Sequence, residues 1–139
     1  MPFLVGTILA LSVGLSATTV GLDRDRAFYA TVMAVIASYY ALFAVMGGSP
    51  QALLMEAIVI IAFLAAAVAG FKVSPWWLVG ALAAHGIFDL LHDRLIGNPG
   101  VPQWWPHFCF AYDVTASAYL AWLLSQRKRA TKASAGKSG

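Results

Sequence analysis

Residues 51–71 read QALLMEAIVIIAFLAAAVAGF, and this run decides the fold. It carries one ionisable side chain, Glu56, in 21 positions. At about 1.5 Å of rise per residue, a helix of this length crosses the roughly 30 Å hydrocarbon layer of a bilayer. The runs on either side repeat the pattern. Spans are predicted over about Phe3–Leu22, Ala27–Met46, Gln51–Phe71, Pro75–His92 and Trp105–Leu124. Between them lie Asp23-Arg24-Asp25-Arg26, Gly47-Gly48-Ser49-Pro50, Lys72-Val73-Ser74 and the loop from Ile96. The chain is 60% hydrophobic and only 11% charged over 139 residues, where a soluble domain carries about a quarter charged. The fold class expected is an all-α integral membrane protein, a single bundle of five transmembrane helices. Residues 1–125 form that domain, and 126–139 form a basic, flexible tail. The first span lacks a basic n-region and is read as a retained helix rather than a signal peptide.

Charge placement gives the orientation. Five of the nine basic residues, Arg127, Lys128, Arg129, Lys132 and Lys137, fall in the last 13 positions. Putting that tail in the cytoplasm places eight of nine basic residues inside, as the positive-inside rule asks, and leaves the N-terminus outside. The localisation expected is a bacterial inner (cytoplasmic) membrane. The tail is too short and too poor in aromatics for a nucleic-acid interface, so contact with membrane lipids is its simpler reading and no nucleic-acid partner is expected. Gly6, Ala10 and Gly14, and Ala62, Ala66 and Gly70, recur every four positions. Such faces permit close helix approach within the chain or in a homo-oligomer. The single cysteine, Cys109, forms no motif and reads as packing.

Polar residues concentrate in the C-terminal half. His85, Asp89 and His92 stand at i, i+4 and i+7, on one helical face; Asp93, His107 and Asp113 follow. Ionisable groups are costly in lipid and mark functional sites there. The heights of these residues converge with those of Glu56, Tyr39 and Tyr40 in the outer half of the bundle, so an outward-facing polar pocket is expected. His85, Asp89 and Asp113 are the candidate catalytic residues. His85, Asp89, His92 and His107 are the candidate ligands for a divalent metal, Zn, Fe or Mn by ligand type. Neither HExxH nor the Glu-x-x-His pattern of di-iron bundles is present. His85 and His92 stand about 10 Å apart along the axis, which strains joint ligation of one ion. Glu56, Tyr39, Tyr40, Arg94, Trp104, Trp105 and Tyr112 are the candidate substrate contacts. Glu56 alternatively pairs with Arg94. The loop Ile96–Pro106 reads as a stiff cover, with a turn at Asn98-Pro99-Gly100 and Pro106 in the first turn of the last helix.

Four functions fit these residues. The first is a membrane enzyme acting on a lipidic or isoprenoid-like substrate, an isomerase or hydrolase, either metal-assisted or by His/Asp proton transfer. The others are a transporter or proton-coupled carrier, a haem or cofactor holder using His85 and His107, and a structural subunit of a membrane complex.

Overall fold

The computed structural model describes residues 1–136. Helices run α1 (Pro2–Val20), α2 (Ala27–Met46), α3 (Pro50–Lys72), α4 (Trp76–Leu95) and α5 (Trp105–Ala135), with one 3-10 turn at Leu22–Arg24. Four of them, all but α4, are long and apolar enough to cross a membrane. The fourth helix is 20 residues long, like α2, but carries His85, Asp89, His92 and Asp93. The result is an all-α bundle of long apolar helices with the character of a multi-span membrane protein.

The helix ends follow local chemistry. Gly21 closes α1 in the left-handed region at φ 88°, its N–H donating to Ala17 O, a conformation that favours glycine. Ser49 caps α3 by accepting from Ala52 N, with Pro50 in the first turn, where its missing N–H is no loss. Pro106 occupies the same kind of position in α5. That helix does not stop at Leu124. It continues through the basic stretch to Ala135, so Arg127 to Lys132 form the exposed end of the same helix. Lys137 and the rest of the expected tail lie outside the described residues.

In α1, packing inverts the rule for soluble proteins. The buried residues of α1 are Gly6, Ala10, Gly14 and Ala17, all small, while Phe3, Leu4, Ile8 and Leu15 face outward. Lipid solvates the large side chains, and the small ones let backbones close up. A Cβ on Gly6 would strike Phe108 O of α5, and one on Gly14 would come within 2.8 Å of the Tyr119 ring. Gly70 is likewise closed against Leu78. Thus α1 packs along α5, α2 along α3, and α4 between α5 and α3. Helices α1 and α2 make no comparable contact, and a cleft separates them. We call the end holding Met1, Trp105 and the loop 96–104 the upper end, and the end holding residues 21–26 and Arg127 the lower.

Candidate metal centre and the adjoining groove

Three turns of α4 bring His85, Asp89 and His92 to one inward face, where all three are at most 1% exposed. Gly86 lets α5 come close: a Cβ there would stand 3.3 Å from Asp113 Cβ and Val114 Cγ2. Asp113 therefore faces His85. Its Oδ2 lies 2.7 Å from His85 Nδ1, and Asp89 Oδ2 lies 3.5 Å from the same nitrogen. The other oxygen of Asp89 accepts a 2.6 Å hydrogen bond from the Tyr40 hydroxyl of α2. Phe63 of α3 meets the His85 ring edge-on, with centroids 4.7 Å apart.

One donor atom from each of His85, Asp89 and Asp113 lies within 4.8 Å of the other two. Ligand distances of about 2.0–2.2 Å place opposing donors roughly 4 Å apart across an ion. The arrangement is an open site that small rotamer changes would tighten. Two oxygens argue that the residues fit an ion. Asp89 Oδ2 and Asp113 Oδ1 are buried and have no hydrogen-bond partner, and a buried carboxylate oxygen left unpaired is costly. Among the described residues no lysine or arginine is buried near them, and the basic side chain beside both is His85. The cluster is thus capable of coordinating a metal ion, although nothing about it selects one metal.

His92 belongs to a second arrangement above the first. Its Nε2 is 2.7 Å from Glu56 Oε1, which also accepts from Asn98 Nδ2 at 2.9 Å. Asn98 Nδ2 reaches Tyr40 O as well, at 3.0 Å, and Asn98 Oδ1 takes Gly100 N. The Tyr40 ring stacks on His92 at 4.0 Å, so Tyr40 joins the two arrangements. The loop 96–104 is therefore fastened to the bundle by a polar clasp.

Several expectations need correction. His92 is drawn to Glu56 and does not join the three-residue cluster. His107 is exposed, edge-on to Phe3 at 5.2 Å, because its position on α5 turns it away from Asp113. It cannot share an ion with His85, nor oppose it across a haem. Glu56 pairs with His92 and Asn98 rather than with Arg94, which is exposed. Tyr40 and Glu56 are held inside these hydrogen bonds rather than presented to a substrate. The polar residues also line no outward-facing pocket; packing by Phe63, Phe88 and Tyr40 seals them. Asn98 and Gly86 were not among the expected site residues. Asn98 looked like turn chemistry, and its second bond depends on a contact 42 residues away.

A cavity lies in the cleft between α1 and α2, floored by α5. It measures about 1110 Å³. Tyr39, Trp104, Trp105, Cys109 and Tyr112 form its upper part; Gly21, Leu22 and Asp25 mark its lower end. Cys109 stands one turn above Asp113 on α5, and Tyr39 adjoins Tyr40. Cys109 and Tyr39 thus line the groove on the elements that also carry Asp113 and Tyr40. Comparison of the chain with protein-family models, with curated proteins and with solved structures finds no match.

Proposed function

We propose that the protein is a metal-assisted membrane enzyme that acts on a lipophilic substrate drawn laterally from the bilayer. The unpaired oxygens of Asp89 and Asp113 beside His85 are the observation that carries this reading. Such pairs of buried, unsatisfied carboxylates persist where they serve a ligand or a reaction. A bound divalent ion would supply Lewis-acid polarisation of a substrate oxygen. Asp89 would be a ligand oriented by Tyr40. His85 and Asp113 would complete the ligand set, and Asp113 Oδ1, the oxygen left without a partner, would hold and return a proton. Burial of all three residues favours proton transfer within the substrate, an isomerase-type reaction, over hydrolysis by bulk water. The groove offers the substrate its path, with Tyr39, Trp104, Trp105 and Tyr112 along it. The bilayer orientation that suits the basic end of α5 is cytoplasmic, in a bacterial inner membrane. Reporter fusions at the two termini test that arrangement.

The central test is metal content. Detergent-purified protein, incubated with Zn, Mn or Fe(II) and desalted, should retain about one equivalent of one of them by elemental analysis. The variants His85→Ala, Asp89→Asn and Asp113→Asn should each lose it. Retention by all three variants, or no retention by the wild type, would overturn the reading.

A further inference from the structure

A second, smaller cavity of about 500 Å³ lies between α3 and α4 in the lower part of the bundle. Ala62, Phe63 and Ala66 of α3 form one wall, and Gly80, Ala81 and Ala84 of α4 form the other. It is an open furrow rather than a closed hole, since Ala62, Gly80 and Ala84 are exposed. Trp76 and Trp77 stand at its lower mouth, half-exposed. Above these two tryptophans every lining residue is apolar. From Trp76 to Ala84 the furrow follows α4 for about 12 Å at helical rise. That is most of one leaflet of a hydrocarbon layer roughly 30 Å thick.

The mouth is positive. Arg26, in the turn before α2, reaches Val73 O with Nη1 at 3.5 Å, so its guanidinium lies against the peptide that joins Val73 to Ser74. Ser74 itself lines the mouth. Its Oγ accepts from Trp76 N at 3.4 Å, which leaves the hydroxyl hydrogen free to donate. Lys72 ends α3 two residues earlier and is exposed. The N-terminus of α4, the positive end of that helix's dipole, begins at the same place. Among the described residues neither Arg26 nor Lys72 has a carboxylate partner. The two carboxylates of the lower end are engaged elsewhere. Asp23 pairs with Arg127, and Asp25 accepts Ala27 N and lines the α1–α2 cleft. An apolar bed that ends at two cations, a hydroxyl and a helix N-terminus complements an acyl chain that ends in a phosphodiester anion. Tryptophans at this level suit the boundary between chain and head group.

We propose that the furrow between α3 and α4 binds one anionic phospholipid, its acyl chain laid along Ala62, Ala66, Gly80 and Ala84 and its phosphodiester held at Arg26, Lys72 and Ser74. The furrow shares no lining residue with the α1–α2 cleft, so this is a lipid site of its own and does not depend on the metal centre. It also differs from the basic end of α5. There the charge is spread along an exposed helix, whereas here it stands at the mouth of a shaped apolar bed, which selects a head group and a chain together.

The test is native mass spectrometry of the detergent-purified full-length protein incubated with equimolar dioleoyl phosphatidylglycerol and dioleoyl phosphatidylcholine. Protein carrying one lipid should hold the glycerol lipid over the choline lipid by at least about fivefold, the margin that one basic residue gives near a membrane surface. The double variant Arg26→Gln/Lys72→Gln should bring that ratio close to one. Should it fail to fold, Lys72→Gln alone, at an exposed position, should lower the ratio severalfold. Gly80→Phe fills the furrow; a Cβ at Gly80 meets nothing within 4 Å, so the bundle tolerates it, and retention of the glycerol lipid should fall severalfold. Lys128→Gln/Arg129→Gln/Lys132→Gln, on the basic end of α5, should keep the wild-type ratio. Equal retention of the two lipids by the wild type, an unchanged ratio in the Arg26 and Lys72 variants, or unchanged retention in Gly80→Phe would overturn the proposal. Loss of the preference in the α5 variant would overturn it too, since general surface charge would then account for the binding.

Discussion

Asp23 at the lower end and Asp113 at the upper are both buried aspartates in a membrane bundle, but they are treated oppositely. Asp23 Oδ1 takes Arg127 Nη2 at 3.0 Å, Asp23 Oδ2 accepts from Thr18 at 2.6 Å, and Arg127 Nη1 donates to Asp23 O. Thr18 in turn meets Tyr119 OH at 2.8 Å. Both carboxylate oxygens are partnered and a cation stands beside them. Asp113 has one oxygen at His85 and one without a hydrogen bond, Asp89 repeats this with Tyr40, and among the described residues the basic side chain beside both is His85 rather than an arginine or lysine. The lower aspartate fastens α1 and the following turn to α5. The upper pair is kept under-satisfied, the condition of groups that wait for a ligand.

The sharpest way to break this contrast is the double variant Asp89→Asn/Asp113→Asn. Elemental analysis should show complete loss of bound metal, while Asp23→Asn should leave metal content at the wild-type level. Equal metal content in the two variants would erase the distinction. Next in size is Gly6→Leu, which drives a side chain into Phe108 O and should destabilise the bundle by about 1–3 kcal/mol, nearer the upper figure, seen as a fall in the thermal midpoint in detergent. Tyr40→Phe removes only the hydroxyl that orients Asp89. Metal affinity should weaken about tenfold or somewhat more, with a loss of about 1–3 kcal/mol of stability from the acceptor left behind, and titration with the metal checks it. Smaller effects sharpen the comparison through stability measured without metal. Asp23→Ala leaves Arg127 and Thr18 without their shared acceptor and should cost about 1–3 kcal/mol. Asp113→Asn keeps a side-chain oxygen for His85 Nδ1 and relieves the oxygen that has no partner, so it should cost less than Asp23→Ala. A fall for Asp113→Asn as large as that for Asp23→Ala would mean that both aspartates are structural. Asn98→Ala, which takes one donor from Glu56, should cost about 1 kcal/mol and leave metal binding unchanged.

Much of the bundle was legible because bilayer thickness fixes helix length. The span Ala27–Met46 matches α2 at both ends, and the span from Gln51 differs from α3 by one residue at each end. The end of α5 was missed because hydropathy marks where a helix leaves lipid, not where it unwinds. Arg127, Lys128 and Arg129 are good helix formers that continue it. Within the site, helical periodicity put His85 and Asp89 on one face, and similar depth placed Asp113 beside them. The partner of Glu56 was not legible. Depth alone does not say which way a side chain turns about its helix axis, and the choice between Arg94 and His92 depends on that angle. His107 was misplaced for the same reason. The groove was beyond sequence reading, since it arises from a contact that two helices fail to make.

That missing contact has a mechanical consequence. The first helix is sewn to one neighbour along a seam of Gly6, Ala10 and Gly14, and it is pinned at its foot by the Thr18–Asp23–Arg127 latch. A stave held this way is anchored on one side only, and its other side, toward Trp104 and Trp105, is the open wall of the cleft. A larger residue at Gly6 or Gly14 would push α1 off α5 and so reshape the cleft from that one seam.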